Sequence, residues 1–202
     1  MASPLKTAGT VVIAHQAITH PGTVVGSALD VSTVFQATLF LDHALVEAAA
    51  NTNPPSWYIQ ASAQSSGNEE WVTLLELPLS ENGTPATEAV GTDVGQGASI
   101  IPVLSTAGFV SKDEIYIQDT GTLANSEWGK IQEIVTDTGI TVLDGMTTAK
   151  DASDVIWGDA ERNIVTVNVA SIARLRVVYL HEGATGANSH IRATMTTEDS
   201  IA

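Results

Sequence analysis

The chain has 202 residues, a net charge of −15, no cysteine and only 5% aromatic residues. This length fits one large or two small domains, with a core built mainly from Val, Ile, Leu and Ala. The acidic balance argues against nucleic acid and anionic membranes as partners, because both attract basic surfaces. The absence of cysteine excludes disulfides, thiolate metal sites and a cysteine nucleophile. No apolar run is long enough to predict a transmembrane helix, and the first ten residues lack the apolar core of a signal peptide.

The first 80 residues alternate apolar and polar side chains in segments of strand length. The predicted strands are Thr10–Ala17, Thr23–Val31, Val34–Asp42, Trp57–Ala63 and Trp71–Leu79. Val34–Asp42 has apolar side chains on both faces, which predicts a central position in a sheet. The segment His43–Ala50 predicts either a short helix or a continuation of that strand. The polar loop between the last two strands predicts a β-hairpin.

The composition changes after Leu79. Residues Ser80–Gly97 are rich in Gly, Thr and acidic side chains, which predicts an exposed linker or a long loop. Short segments bounded by Gly, Asp or Asn follow, a pattern typical of a small β-barrel or β-roll. They are Ser99–Leu104, Glu114–Gln118, Glu127–Val135, Ile140–Leu143 and Asp154–Trp157. Longer strands return at Asn163–Val169, Arg174–His181 and Ser189–Thr197.

These segments predict an all-β protein. Residues 1–80 and 162–202 would form an antiparallel β-sandwich that is jelly-roll-like, and residues 81–161 a small β-barrel or β-roll domain inserted into it. Residues 81–161 hold 14 acidic residues and three lysines, a net charge of −11. Arginines concentrate instead in the last 41 residues, at Arg162, Arg174, Arg176 and Arg192. Either the two domains face different surroundings, or a loop-rich insert simply needs charge for solubility.

Two Asp-Thr-Gly triplets, which begin at Asp119 and Asp137, match the catalytic triplet of aspartic proteases. Each follows a polar residue rather than an apolar pair, and the copies lie too close together for separate lobes, so ordinary turns are favoured. The glycine-rich segment Gly91–Gly97 is too acidic for a phosphate cradle. The sequence therefore predicts no catalytic residue, no cofactor and no enzyme activity.

The five histidines, His15, His20, His43, His181 and His190, are scattered, and no pair has the spacing of a known metal motif. His181 and His190 flank a glycine-rich turn and could approach each other across a hairpin, with Glu182 nearby, to bind a metal. The alternatives are exposed histidines beside a turn, or a buried interface position that is sensitive to pH. No metal site is predicted from this arrangement.

Other acidic and aromatic residues leave two further alternatives open. The acidic residues Asp151, Asp154 and Asp159 do not match an EF-hand loop, and weak binding of Ca²⁺ by these side chains is the alternative that stays open. The tryptophans could form a sugar-binding platform, but packing in the core is favoured. They are Trp57, Trp71, Trp128 and Trp157.

Four stretches of the sequence carry a family resemblance: GSALDVSTVFQATLFLDHA, WYIQASAQSSGNEEWVTLLELP, FVSKDEIYIQDTGTLANSEWGKIQEI and the closing strands NIVTVNVASIARLRVVYLHEGATGANSHIRATMTT. Together they resemble small structural proteins of tailed-bacteriophage virions. The resemblance implies a virion protein without catalytic residues, first of all a capsid decoration (cement) protein that stabilises the outer capsid surface. It implies the major capsid protein and copies of the chain itself as partners, with a trimer as the expected state, and assembly in the bacterial cytoplasm.

The candidate interface residues are Arg162, Arg174, Arg176, Arg192 and Lys6, of which the last lies in an N-terminal arm that could order on a neighbouring subunit. A tail, baseplate or fibre component is a second hypothesis within the same class. A carbohydrate-binding module that uses exposed tryptophans is a third, from a different class.

Overall fold

The computed structural model describes residues 9–46, 54–66, 69–79, 85–136, 138–183 and 188–199. Within these residues the chain forms fifteen strands, a 3₁₀ turn at Leu123–Asn125 and no α-helix. The strands are β1 Thr10–Thr19, β2 Gly22–Val25, β3 Leu29–Asp30, β4 Val34–Leu45, β5 Ser56–Ser62, β6 Val72–Pro78, β7 Thr87–Ala89, β8 Ile100–Pro102, β9 Glu114–Gln118, β10 Glu127–Val135, β11 Gly139–Val142, β12 Val155–Trp157, β13 Glu161–Asn168, β14 Arg174–His181 and β15 Asn188–Asp199. In this part of the chain no helix is long and apolar enough to cross a membrane.

Two sheets form a sandwich. Sheet A has the order β1-β15-β4-β13, and sheet B has the order β2-β14-β5-β6, with β3 also paired to β14. All of these pairs are antiparallel. Early strands pair with late ones in nested fashion, β1 with β15 and β2 with β14, and this order is that of an eight-stranded jelly roll. The predicted antiparallel, jelly-roll-like sandwich is thus confirmed.

The core of the sandwich lies between sheets A and B. Alternate residues of the long strands point into it, because side chains on a strand alternate between the two faces. Its buried members include Leu39, Leu41, Trp57, Ile59, Val177, Tyr179, Ile191 and Met195. Strand β4 lies between β15 and β13, which confirms the central position that its two apolar faces predicted. It continues as strand through Leu45 rather than turning into a helix, and residues 47–50 lie outside the described part of the chain.

The predicted strand Thr23–Val31 is wrong in one respect, since it is broken into β2 and β3 around Gly26. A Cβ atom at Gly26 would lie 2.9 Å from the Cγ1 atoms of Val12 and Ile13 and 3.0 Å from the carbonyl oxygen of Val12. Only glycine allows this close approach of the chain to β1. The Gly26 N–H still donates to the carbonyl of Val177, its partner in the β2–β14 register, and the register then shifts by one residue before β3.

The third sheet has the order β7-β12-β9-β10-β11-β8. A bridge between Val90 and Val103 joins its two ends, so that the sheet curls into a small barrel around its own apolar core. The prediction of a linker or loop over Ser80–Gly97 is wrong for Thr87–Ala89, which pairs with β12 as β7. The domain bounds at residues 80/81 and 161/162 stay a prediction.

Candidate functional site

The barrel packs against the outer face of sheet A. Core residues Ile191 and Ala193 point inward, so the intervening Arg192, and likewise His190, point away from sheet B. We call the contact between this face and the barrel the joint. Its members are His15, Ala44, Val46, Tyr116, Trp128, Ala160 and His190. Sheet B therefore lies on the side of the sandwich that is opposite to the barrel.

The centre of the joint is the hydroxyl of Tyr116, a barrel residue. It lies 2.7 Å from Nδ1 of His190 and 3.0 Å from Nε2 of His15, both of which belong to sheet A. Trp128 packs 4.8 Å from the ring of His15 and donates from Nε1 to the backbone carbonyl of His43 over 3.2 Å. Polar side chains from three distant parts of the chain thus form one network between sandwich and barrel.

Burial shifts the acid–base chemistry of this network. It lowers the pKa of His15 to about 4, where the nearby Arg192 also lowers it and Asp42 acts in the opposite direction. Burial, followed by the charge of His15, lowers the pKa of His190 to about 4. Burial likewise raises the pKa of Tyr116. At neutral pH both histidines are therefore uncharged, and the tyrosine keeps its proton.

Two of the predicted interface arginines meet beside the joint. Asp42, which is buried, accepts from Nε of Arg162 over 3.0 Å and from Nε of Arg192 over 2.9 Å. Arg192 also lies over the ring of Trp128, with its guanidinium carbon 4.9 Å from the ring centroid. Both arginines line a cleft of about 250 Å³ between sheet A and the barrel, which Asp144 also lines. The Asp42 carboxylate therefore offsets part of the charge of the two arginines.

The other two arginines lie on the opposite side of the molecule, on the outer face of sheet B. Arg174 pairs with Glu69 and donates to the carbonyl of Ala28. Arg176 donates to Gln60 over 2.8 Å and lies 4.1 Å from the ring centroid of Trp71. The arginines predicted as one surface thus occupy two opposite faces, and Lys6 lies outside the described residues.

Sheet B also exposes apolar side chains. Val25 is 55% exposed on its outer face, opposite Val178, and Leu180 is half-buried nearby. Strand β6 lies at the edge of this sheet, and three of its large apolar side chains are exposed: Val72, Leu74 and Leu75. Edge strands have unpaired backbone groups that can pair with another chain, and exposed apolar patches mark interaction sites.

The residues considered for catalysis have structural roles. The Asp119 carboxylate accepts from the backbone N–H groups of Gly121 and Thr122, which is the ordinary turn that the sequence favoured. Its counterpart Asp137 lies outside the described residues. The N–H groups of Gly91 and Gly97 donate to Pro102 and Met146 within the barrel, so they form no phosphate cradle.

The histidine and acidic candidates for metal binding do not come together. His181 lies in sheet B, with its ring 3.3 Å from that of His20, whereas His190 lies in sheet A, so the proposed approach across a hairpin is wrong. Both are buried rather than exposed beside a turn. Asp154 accepts from the backbone of Thr120 and Asp151. The described residues contain no group of three or more metal-binding side chains.

The tryptophans divide into two groups. Trp57 is buried in the sandwich core and Trp128 in the joint, as the packing interpretation predicted. Trp71 and Trp157 are half-buried, and Trp157 donates to Gln118. A sugar platform built from Trp57 and Trp128 is therefore excluded. The joint was not predicted from the sequence. One alternative considered for His181 and His190 was a buried interface position that is sensitive to pH, and His190 is indeed a member of the joint.

No protein-family model and no curated protein matches the chain. Among solved structures, the chain is similar to the SPBc2 prophage-derived protein YomS, at 6% identity and a TM-score of 0.32 over 98% of this chain and 97% of that one. It is similar to a structure of infectious bursal disease virus, Gx strain, at 10% identity and a TM-score of 0.27 over 98% and 41%. VP17, a capsid protein of bacteriophage P23-77, is similar at 9% identity and a TM-score of 0.22 over 99% of both chains.

Proposed function

We propose that this chain is a non-enzymatic structural protein of a tailed-phage virion, which binds the outer surface of the capsid as a decoration protein. The observation that carries the proposal is the two-sided build of the molecule. The acidic barrel lies on one side of the sandwich, and the arginine-bearing, partly apolar face of sheet B lies on the other. Such a molecule can bind a surface with one side and present a charged, solvated side outward.

The outer face of sheet B has the chemistry of an interface. Tyr58, Trp71 and Arg176 lie there together, and these residue types are enriched where binding energy concentrates. Val25 and Leu180 add apolar area. The partner that we propose for this face is the major capsid protein. The joint already occupies part of the opposite face, and Arg162 and Arg192 are engaged there with Asp42.

The sequence resemblance to virion proteins supports the same function independently of the fold. Jelly rolls occur in viral capsid proteins and in lectins alike, so the fold alone does not choose between them. A lectin would need exposed aromatic side chains, and the burial of Trp57 and Trp128 removes two of the four tryptophans from that role. A tail or baseplate location is an outcome that the first experiment would detect.

The first experiment is mass spectrometry of purified virions and of their separated heads and tails. We expect the chain in the head fraction, in many copies. Its presence in tails alone would replace decoration with the tail hypothesis, and its absence from particles would overturn a virion role.

A matched pair of variants then tests which face binds. Val25 on sheet B and Val11 on the outer face of sheet A are both edge-strand valines, and each is 55% exposed. We expect Val25→Asp to weaken co-sedimentation with capsids prepared without this protein by about tenfold or more, because it places a charge in the interface. Val11→Asp should bind as the wild type does. The reverse result would show that sheet A, not sheet B, binds the capsid.

A further inference from the structure

We infer that the joint is an acid-sensitive latch: protonation of His15 and His190 releases the barrel from the outer face of sheet A while the sandwich stays folded. The inference concerns the joint alone and does not depend on the proposed function. It starts from the geometry around the Tyr116 hydroxyl, where two histidines of the sandwich hold one side chain of the barrel.

The Tyr116 hydroxyl has one proton, so it donates to only one of the two imidazoles. When both histidines are neutral, one ring nitrogen accepts this proton and the other donates to the tyrosine oxygen. Protonation of the accepting imidazole turns it into a donor, so the Tyr116 O–H loses this acceptor and the Ser126 hydroxyl, which also hydrogen-bonds to Tyr116, is the alternative. The neutral network therefore uses both histidines as partners of Tyr116, whereas two protonated imidazoles both donate toward the same hydroxyl oxygen.

The charges around the joint make double protonation more unfavourable. The rings of His15 and His190 lie 5.7 Å apart, and Arg192 faces the same space from above Trp128. Asp42 is the carboxylate that acts on His15, and it already holds both Arg162 and Arg192. On the barrel side the neighbouring groups are the neutral Tyr116 and Trp128, and the charge of Asp119 reaches Tyr116.

The connections of the barrel allow it to separate. The chain passes from sandwich to barrel between β6 and β7 and returns between β12 and β13. Each unit has its own buried apolar core, and the joint core is small by comparison. Loss of the joint therefore does not require either larger core to open.

The direction of the pH effect follows from the lowered pKa values. Both histidines bind protons more weakly in the closed joint, with a pKa of about 4, than in an open one, where the ordinary value is 6.5. The joint is thus fully stable above about pH 6.5 and loses stability as the pH falls from there toward about 4.

The test uses the full chain and follows two sets of protons by NMR hydrogen exchange. The indole N–H of Trp128 reports on the joint, because it donates to the His43 carbonyl. Backbone amides of β4 and β5 report on the sandwich core. Between pH 7 and pH 4, after correction for intrinsic exchange rates, we expect protection of the indole to fall by about tenfold or more, while protection of the core amides persists.

Two variants separate the latch from general acid sensitivity. The double variant with His15→Gln and His190→Gln keeps polar side chains that do not titrate, and its Trp128 protection should no longer depend on pH. His20→Gln changes a buried histidine outside the joint and should keep the wild-type response. If the double variant does not fold, NMR titration of the histidine rings in the wild type tests the inference instead. His15 and His190 must then titrate over the same pH range in which protection of the Trp128 indole is lost.

Three results would overturn the inference. Unchanged protection of the Trp128 indole at pH 4 would show that the joint stays closed. Loss of core protection at the same pH would show global unfolding rather than release. A wild-type pH response in the double variant would place the titrating group elsewhere.

Discussion

At the scale of single residues, the least expected feature is a lysine inside the barrel. Lys150 is only 1% exposed, and its Nζ lies 2.7 Å from Oε1 of Glu127 and 2.7 Å from the carbonyl oxygen of Asn125. Burial alone would raise the pKa of Glu127, but the hydrogen bonds from Lys150 and Thr147 outweigh it and lower this pKa. Lys150 lies in the loop after β11. Its ammonium group thus connects that loop to Glu127 of β10 and to Asn125 in the loop before β10.

Removal of this ammonium group should destabilise the protein. We expect Lys150→Met to lower the free energy of unfolding at pH 7 by about 3 kcal/mol, because it leaves a half-buried carboxylate without its cation. The matched control is Lys130→Met, since Lys130 pairs with Glu114 at the surface and should contribute less than about 1 kcal/mol. Urea unfolding of both variants measures the difference.

The same variant should change the acid dependence of stability. The contribution of Glu127 is present at neutral pH and lost as the pH falls through its lowered pKa. In Lys150→Met this acid-induced loss should become smaller, because without the Lys150 hydrogen bond the folded pKa of Glu127 rises toward its value in the unfolded chain. Equal unfolding energies for the Lys150 and Lys130 variants would show that the buried pair contributes no more than the surface pair.

At the scale of elements, one glycine decides how the second strand of the sandwich is built. Gly26→Ala would place a methyl group within 3 Å of the backbone and side chains of β1, so we expect a loss of about 1–3 kcal/mol in unfolding free energy. Gly95→Ala is the control, because a Cβ there has nothing within 4 Å. It should be neutral or slightly stabilising. A neutral Gly26→Ala would mean that β1 moves away without loss.

Most strands were predictable because each carries its own alternation. The predicted ranges Glu114–Gln118, Glu127–Val135 and Arg174–His181 coincide with β9, β10 and β14. Strand β7 was not predictable, since its three residues lie in a Gly- and Thr-rich segment and pair with β12 about 70 residues later in the chain. Local pattern carries no information about such a partner.

The joint was unpredictable for a related reason. His15, Tyr116 and His190 are brought together only by the packing of the barrel on sheet A. The sequence shows three polar residues separated by about 100 and 74 positions. It also shows four arginines near the C-terminal end, but alternation along β14 and β15 does not reveal that these strands belong to different sheets.

At the scale of the whole molecule, charge and apolar surface act in opposite directions on self-association. Copies with a net charge of −15 repel one another, and salt weakens this repulsion because the screening length falls from about 30 Å at 0.01 M to about 10 Å at 0.1 M. The β6 edge has only one charged residue, Glu76, beside its exposed apolar side chains. We therefore propose that β6 pairs with a strand edge of a second copy, and that association strengthens with salt.

Sedimentation of the wild type across this salt range should show growing oligomers, with three copies as the expected end state. Val72→Asp on β6 should keep the chain monomeric at the higher salt, because it adds repulsion and removes apolar area at the edge. Ile164→Asp on β13 is the matched control, since Val72 is 64% exposed and Ile164 is 67% exposed, each on an edge strand. Loss of association in the Ile164 variant alone would move the self-contact to sheet A. A wild type that stays monomeric at every salt concentration would overturn self-association through the β6 edge.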